Sequence, residues 1–423
     1  MFSCAPRGPG DAGVYVHFPY CTRKCPYCDF NSHAAAFDDR AYADAVIQEI
    51  EARGPAHVPL GPAGSVYFGG GTPSLWDPAE IGRVLSAIRA GIGLRDDAEV
   101  TLEANPGTVD EGRFERFVES GVNRFSVGAQ SFRDQELVTL GRIHGANAAR
   151  RAVRAAKATG ARVSLDLIYG LPGQSRDAAL QSVEDAIALE PSHISAYTLT
   201  IEPGTALARA EERGRFRPTE DDRMAEHIQD VSERLGRAGF LRYEISSYAP
   251  PGQEALHNTL YWFGGPYLGV GAGAHSFLPL SRRLAGAERR ESLRNPEAYI
   301  ADAARGAFTP ESIEHLTQAD LIADRLWTAM RTRFGLDLEA LAEETEDAIA
   351  PESMIACLSE ALDRLVERGL IVRLGSRGGQ IAPTPMGFLY NDEVGRTLLL
   401  AARDRLAPLL AARSNHHHGP APA

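Results

Sequence analysis

Residues 14–28 read Val14-Tyr15-Val16-His17-Phe18-Pro19-Tyr20-Cys21-Thr22-Arg23-Lys24-Cys25-Pro26-Tyr27-Cys28. The apolar, β-branched run Val14–Phe18 predicts a strand. At Pro19 it passes straight into a loop carrying Cys21, Cys25 and Cys28. Thiolates are the usual ligands of iron–sulfur clusters, and most clusters take four. Three cysteines within eight residues can wrap one cluster from a single loop and leave one iron without a protein ligand. An open coordination position is what substrate or cofactor chemistry at a metal requires. The alternative is a structural zinc site, which needs a fourth ligand; His33 is nearby, and Cys4 could reach. With Cys357 the total is five, an odd and clustered set unlike a disulfide framework.

The pattern repeats outward from this strand to about Thr205. Further strands are predicted at Ser65–Phe68, Val100–Ala104, Arg124–Val127, Val163–Ile168 and His193–Thr200. Between them, helical periods run over Arg40–Arg53, Pro78–Ala90, Asp110–Ser120, Ala146–Thr159 and Arg176–Leu189. Pro78 suits a first helical turn, and Gly121 and Gly160 suit helix stops. Six strands with intervening helices predict a parallel sheet with right-handed crossovers, an α/β fold. Ligands of such sheets gather at the carboxyl ends of the strands. Polar groups stand at those ends: Gly69-Gly70-Gly71-Thr72, Glu103-Ala104-Asn105-Pro106, Gly128-Ala129-Gln130-Ser131, then Asp166 with Tyr169-Gly170-Leu171-Pro172-Gly173, and Glu202-Pro203-Gly204. Turn residues alone would explain the glycines and prolines. The polar groups beside them point to a site.

The remainder is organised differently. Ala206–Gly239 reads as charged and helical, Tyr243–Tyr248 as one more strand, and Gly264–His275 as a Gly-rich loop. Ser281–Arg294 holds five arginines interleaved with Glu288 and Glu291 and reads as a solvated loop. Helical periods at Gln318–Thr332 and Glu352–Arg368, then two short apolar runs around a turn, then a last helix after Met386, suggest a winged-helix-like α+β module. The expected division is 1–215, 216–300, 301–412 and a disordered tail at 413–423 that includes His416, His417 and His418. The net charge of −12 on 423 residues argues against nucleic-acid binding even for a winged helix. No apolar run approaches a membrane span and no secretory signal is visible, so the cytoplasm is the expected compartment. Cys357 reads as core, and Cys4 as a free thiol.

The Cys-x3-Cys-x2-Cys spacing resembles the radical S-adenosylmethionine (SAM) superfamily. More narrowly, Tyr15-Val-His17-Phe-Pro19-Tyr-Cys21 with Cys25-Pro-Tyr-Cys28 resembles the family of oxygen-independent coproporphyrinogen III dehydrogenases and HemW-type heme chaperones. The match continues through Gly69–Ser74, Glu103–Pro106, Gly128–Phe132, Gly141-Arg142, Asp166–Pro172 and Tyr243–Ser246. The resemblance implies a partial (β/α)6 barrel with a 4Fe–4S cluster on Cys21, Cys25 and Cys28. SAM would chelate the open iron and yield a 5′-deoxyadenosyl radical on one-electron cleavage. By motif position, Tyr15 and Tyr27 would line SAM, and Gly70, Gly71 and Thr72 would meet its amine. Glu103, Gln130, Arg142 and Asp166 would bind its carboxylate, ribose and sulfonium region; acids suit the cationic centres, and arginine the carboxylate.

Two departures separate the branches. The dehydrogenase has a further cysteine where this chain has Phe30, and a long segment ahead of the cluster loop where this chain has twenty residues before Cys21. His257-Asn258-x-x-Tyr261-Trp262 instead resembles a motif of the heme-chaperone branch. Histidine is a common axial ligand of heme iron, and Tyr and Trp offer flat faces to a macrocycle. A structural histidine over core aromatics is the bland alternative; His275 is a second candidate for heme. The expected function is a heme chaperone that delivers heme to a recipient protein, with an electron donor to the cluster and dimerisation on cofactor binding as further implications. The dehydrogenase reaction is the alternative.

Overall fold

The computed structural model describes residues 12–281, 283–345, 349–375 and 378–410. The expectations for Cys4 and for the tail 413–423 lie outside the described residues.

The predicted alternation is present. β1 (Ala12–Phe18), β2 (Ala63–Gly70), β3 (Leu94–Ala104), β4 (Arg124–Gln130), β5 (Arg162–Tyr169) and β6 (His193–Thr198) pair in parallel in that order. The intervening helices are α1 (Asp39–Arg53), α2 (Pro78–Gly91), α3 (Glu111–Glu119), a short α4 (Asp134–Thr139), α5 (Ala146–Ala158) and α6 (Arg176–Ala188). Local chemistry sets their ends. The Asp38 carboxylate accepts from the Arg40 and Ala41 amides at the start of α1, and Asp77 caps α2 with Pro78 in its first turn. Gly121 and Gly160 end α3 and α5 with positive φ, as helix stops require.

The strand alternation sorts side chains onto two faces. Val14, Val16, Phe18, Val66, Phe68, Leu102, Phe125, Val127, Leu165 and Ile194 face the helices and form the main core. The opposite, inner face carries Ser65, Tyr67, Glu99, Glu103, Arg124, Ser126, Arg162, Ser164, Asp166, His193 and Ser195. The inside of this partial barrel is therefore polar.

Beyond the barrel come α7 (Ala206–Glu212), α8 (Asp221–Arg237) and a short hairpin of β7 (Leu241–Arg242) and β8 (Ser247–Ala249), then α9 (Leu256–Trp262). Tyr243–Tyr248 is thus not one strand: Tyr243 to Ser246 form the turn between two. The Gly-rich segment contains β9 (Tyr267–Val270), which pairs in parallel with the free edge of β1. It escaped the sequence reading because it is only four residues long. β10 (His275–Pro279), β11 (Gly286–Ser292), the helix α10 (Pro296–Ala303) and β12 (Pro310–Thr317) follow, and the three strands extend the sheet antiparallel to twelve strands. Half of the arginine-rich stretch, Gly286–Ser292, is therefore a strand and not a solvated loop. Arg289 pairs with Glu314 and Asp324, and Arg294 with Glu291. The sheet reaches Thr317, past the expected boundary at 300.

The C-terminal module is α11 (Gln318–Ala329), β13 (Leu336–Asp337), α12 (Leu338–Glu344), α13 (Pro351–Glu367), β14 (Ile371–Leu374), β15 (Gln380–Pro383), α14 (Pro385–Leu389) and α15 (Asn391–Ala401). Its helix–strand–helix–helix–strand–strand order is that of a winged helix. It has its own apolar core, built on Ile322, Leu326, Leu338, Met354, Leu358, Leu362, Ile381 and Leu398, with Cys357 packed against it.

Candidate functional site at the barrel mouth

β1 delivers Cys21 to the carboxyl end of the sheet. The loop beyond it is tied back by three backbone bonds: the His33 amide donates to Pro19 O, the Cys21 amide to His33 O, and the Thr72 amide to Tyr20 O. Two glycines allow this approach. A Cβ on Gly71 would lie 2.6 Å from Tyr20 O, and one on Gly70, whose φ is +114°, would strike the His17 ring. Gly141 likewise makes room for Pro26 of the cysteine loop. His17 braces the loop from below, with Nε2 2.9 Å from Asn31 O and Nδ1 2.9 Å from Tyr15 Oη.

The three cysteines are free thiols, partly exposed, on the wall of a cavity of about 720 Å³ at the barrel mouth. Thr72 Oγ1 donates to Cys21 Sγ at 3.3 Å, and Arg142 Nη1 approaches Cys25 Sγ at 3.5 Å. Burial pushes the Cys21 and Cys28 thiols up, opposed by the Thr72 hydroxyl at Cys21 and by the Phe30 amide, Ser32 and Lys24 at Cys28. Coordination by iron would override that, since a coordinating thiol is deprotonated outright. Among the described residues no three His, Cys, Asp or Glu side chains converge tightly enough to chelate a single ion. Three thiols on one cavity wall instead suit a cluster, whose thiolates bind separate irons.

The same cavity is lined by Tyr27, Gly70, Gly71, Thr72, Glu103, Gln130, Arg142 and Asp166, all candidates from sequence. Tyr15 is not on that wall. Its hydroxyl is engaged by His17, and its ring stacks on Tyr67 and His257, one layer behind the cavity. Tyr67 was not singled out from sequence and does reach the cavity; its hydroxyl donates to Glu103 Oε1 at 2.8 Å, while the Gly70 amide donates to Oε2. Burial lifts the Glu103 carboxyl to about 7, the Tyr67 bond opposing it and the Asp166 charge adding to it. Asp166 Oδ2 accepts from Ser126 Oγ at 2.9 Å, and burial raises this acid as well.

Five buried polar atoms of residues lining this cavity have no hydrogen-bond partner: Arg124 Nε, Gln130 Oε1, Arg142 Nε, Asp166 Oδ1 and Arg331 Nε. Buried polar groups are ordinarily satisfied. Gln130 also holds a left-handed backbone, φ 65°, at a register break at the end of β4. Two acceptors and three donors left open around one space, with Gln130, Arg142 and Asp166 grouped by motif, fit a ligand that carries cationic centres, hydroxyls and a carboxylate, as SAM does.

The barrel floor behaves otherwise. Glu99 receives Arg162 at 3.1 Å and the His257 amide at 3.1 Å, with Arg124 at 3.7 Å. His193 lies between Ser164 Oγ and Tyr243 Oη. His257 is fully buried here, its Nδ1 2.9 Å from Ser65 Oγ and its Nε2 2.7 Å from Tyr261 Oη. Burial lowers this imidazole to about 3, so it stays neutral. To ligate heme iron the ring would have to give up one of these partners. Asn258 of the same helix does line the mouth cavity, and Trp262 lies under the Arg331 guanidinium at 5.1 Å. His275 is exposed, 3.5 Å from Glu291.

Comparison with known proteins bears on this geometry. The radical SAM superfamily matches residues 15–186. The heme chaperone HemW of Mycobacterium tuberculosis (strain H37Rv) is 36% identical over 399 residues, 93% of this chain and 96% of that protein. HemW of Haemophilus influenzae is 42% identical over 274 residues, 63% of this chain and 70% of its own length. Among solved structures, the coproporphyrinogen III oxidase HemN of Escherichia coli superposes with a TM-score of 0.76, covering 92% of this chain and 90% of that one at 21% identity. That likeness speaks to the fold. No helix among the described residues is long and apolar enough to cross a membrane.

Proposed function

The chain belongs to the HemW family of the radical SAM superfamily, and from that premise we propose that it is a heme chaperone, binding heme and passing it to a recipient protein. The carrying observation is the 36% identity to HemW across 93% of the chain. The mouth supports it chemically. Cys21, Cys25 and Cys28 would hold a 4Fe–4S cluster; Glu103, Gln130, Arg142 and Asp166, with Gly70, Gly71, Thr72 and Tyr27, would hold SAM. When bound, the cluster supplies single electrons at the SAM sulfonium. The protein's own part is to seat the cofactor: Arg142 offers its unpaired Nε to a carboxylate, and Asp166 and Gln130 offer open oxygens to hydroxyls and cations. The reading includes a cytoplasmic location, an electron donor to the cluster, a homodimer formed on cofactor binding and no nucleic-acid partner, in keeping with the net charge of −12. Heme contact by His257 is part of it only if α9 loosens and frees the ring.

The test is anaerobic reconstitution followed by two assays on the same sample. Heme should bind, seen as a shifted Soret band, and transfer to an apo-heme protein. Coproporphyrinogen III with SAM and a strong reductant should remain unconverted. Multiple turnovers to protoporphyrinogen would make the protein a dehydrogenase instead. Cys25→Ser should abolish the iron–sulfur absorbance, and a full cluster in that variant would remove the ligand assignment. His257→Ala should weaken heme binding with the cluster intact; unchanged affinity would confine His257 to its bonds with Ser65 and Tyr261.

A further inference from the structure

A second cavity, of about 500 Å³, lies beside the mouth, between the ends of β5 and β6, the β7–β8 turn and the C-terminal module. The two cavities meet at Thr198 and Arg331, which line both. Its volume is in the range that organic cofactors occupy. The module contributes Phe388 and Tyr390 to its wall, and the barrel contributes Tyr169. Tyr390 is half exposed, an aromatic face at a cavity rim.

Part of the charge on this wall is spoken for. Arg242 gives its guanidinium N–H groups to the Glu244 and Ile245 carbonyls, with its plane over the Phe388 ring. Glu393 is held by Arg368, outside the cavity. Asp392 is the remaining acid. The Arg331 side chain, by contrast, makes no hydrogen bond or ion pair among the described residues; Glu244 is a carboxylate whose field it feels, and its guanidinium lies on the face of Trp262. Its Nε is buried without an acceptor, and so is the indole Nε1 of Trp262 beneath it. A buried guanidinium N–H left unsatisfied on a cavity wall calls for an anionic acceptor.

We propose that this second cavity is the heme site, with the macrocycle against Tyr390 and Phe388 and one propionate taken by Arg331 Nε. The inference rests on the heme-chaperone reading and locates its cargo. It also gives the His257–Trp262 helix a physical task. His257 fixes α9 to β2 through Ser65, and Trp262, at the other end, is the shelf on which the Arg331 guanidinium rests. SAM in the mouth and heme next door would then touch across Thr198 and Arg331.

The experiment is heme titration of the reconstituted protein by Soret absorbance, with heme and its dimethyl ester, in wild type, Arg331→Gln, Trp262→Phe and Tyr390→Ala. Cluster absorbance and far-ultraviolet circular dichroism serve as folding controls. Arg331→Gln is expected to weaken heme by tenfold or more and Trp262→Phe by less, while the ester binds wild type and Arg331→Gln alike. Heme binding as tight in Arg331→Gln as in wild type, with the ester bound more weakly by both, would place the propionate elsewhere and overturn the proposal. Should Arg331→Gln lose its cluster, Tyr390→Ala decides: weaker heme supports the site, unchanged heme overturns it. A wild type that binds no heme at all fails the chaperone reading itself, a result distinct from any of these.

Discussion

The floor and the mouth of the barrel are built from the same strands and the same kinds of residue, yet they are finished differently. At the floor, Glu99, Arg162, His193 and His257 have protein partners on both sides, and in this group Arg124 Nε alone, 3.7 Å from Glu99, is ion-paired without a hydrogen bond. At the mouth, one residue pair further along, Asp166, Gln130 and Arg142 each leave an atom open. A closed polar network defines a shape, and an open one awaits a ligand. Buried charge is therefore not in itself a mark of function; buried charge with unmet hydrogen bonds is.

The largest effect should come from breaking the floor. Glu99→Gln leaves Arg124 and Arg162 without their carboxylate, and loss of one partner of a buried pair costs about 3–5 kcal/mol. Chemical denaturation should show that loss, and a variant as stable as wild type would erase the distinction between the two ends. At the mouth, Asp166→Asn should move stability little and SAM affinity much. A hydrogen bond to a charged group is worth about 1.5–3 kcal/mol, or roughly 10–100-fold in the dissociation constant measured by calorimetry. The reverse pattern, with stability lost and SAM affinity kept, would make Asp166 a floor residue in disguise. The smallest effect concerns pH. Burial raises the Glu103 carboxyl from its usual 4.5 to about 7. Its contribution to folding is thus fully present below 4.5 and is lost as pH rises through about 7. A cationic ligand prefers the ionised form, so SAM should bind more tightly from pH 6 to pH 8, by up to about tenfold. Glu103→Gln should flatten that profile; a slope surviving in the variant would belong to another group.

The sequence made the parallel half of the fold readable because each of β1 to β6 is an apolar run with turn residues after it. The antiparallel half was hidden for a physical reason. β12 (Pro310–Thr317) is exposed along most of its length, and β11 (Gly286–Ser292) reads Gly-Ala-Glu-Arg-Arg-Glu-Ser, so neither carries an apolar alternation. In the site, residues beside turns were found, whereas Tyr67, Ser126 and Ser195, embedded within strands, were not. Their signal was faint but present: a polar residue at every second position of an otherwise apolar strand. Tyr15 is the intermediate case: its strand register sets it level with Tyr67, which reaches the cavity, while its own ring stacks behind Tyr67 and its hydroxyl meets His17.

The pairing of β1 with β9 has a consequence for how the chain is made. β1 leaves the ribosome well before the strand that covers its second edge, which starts at Tyr267, about 250 residues after Phe18. At roughly 5–20 residues per second, translation leaves that edge open for about 12–50 s. An uncovered edge is a template for pairing with other chains, and this one runs directly into the cysteine loop. Insertion of iron and sulfide is therefore best timed after Val270 has emerged, when the strand beneath the loop is flanked on both sides.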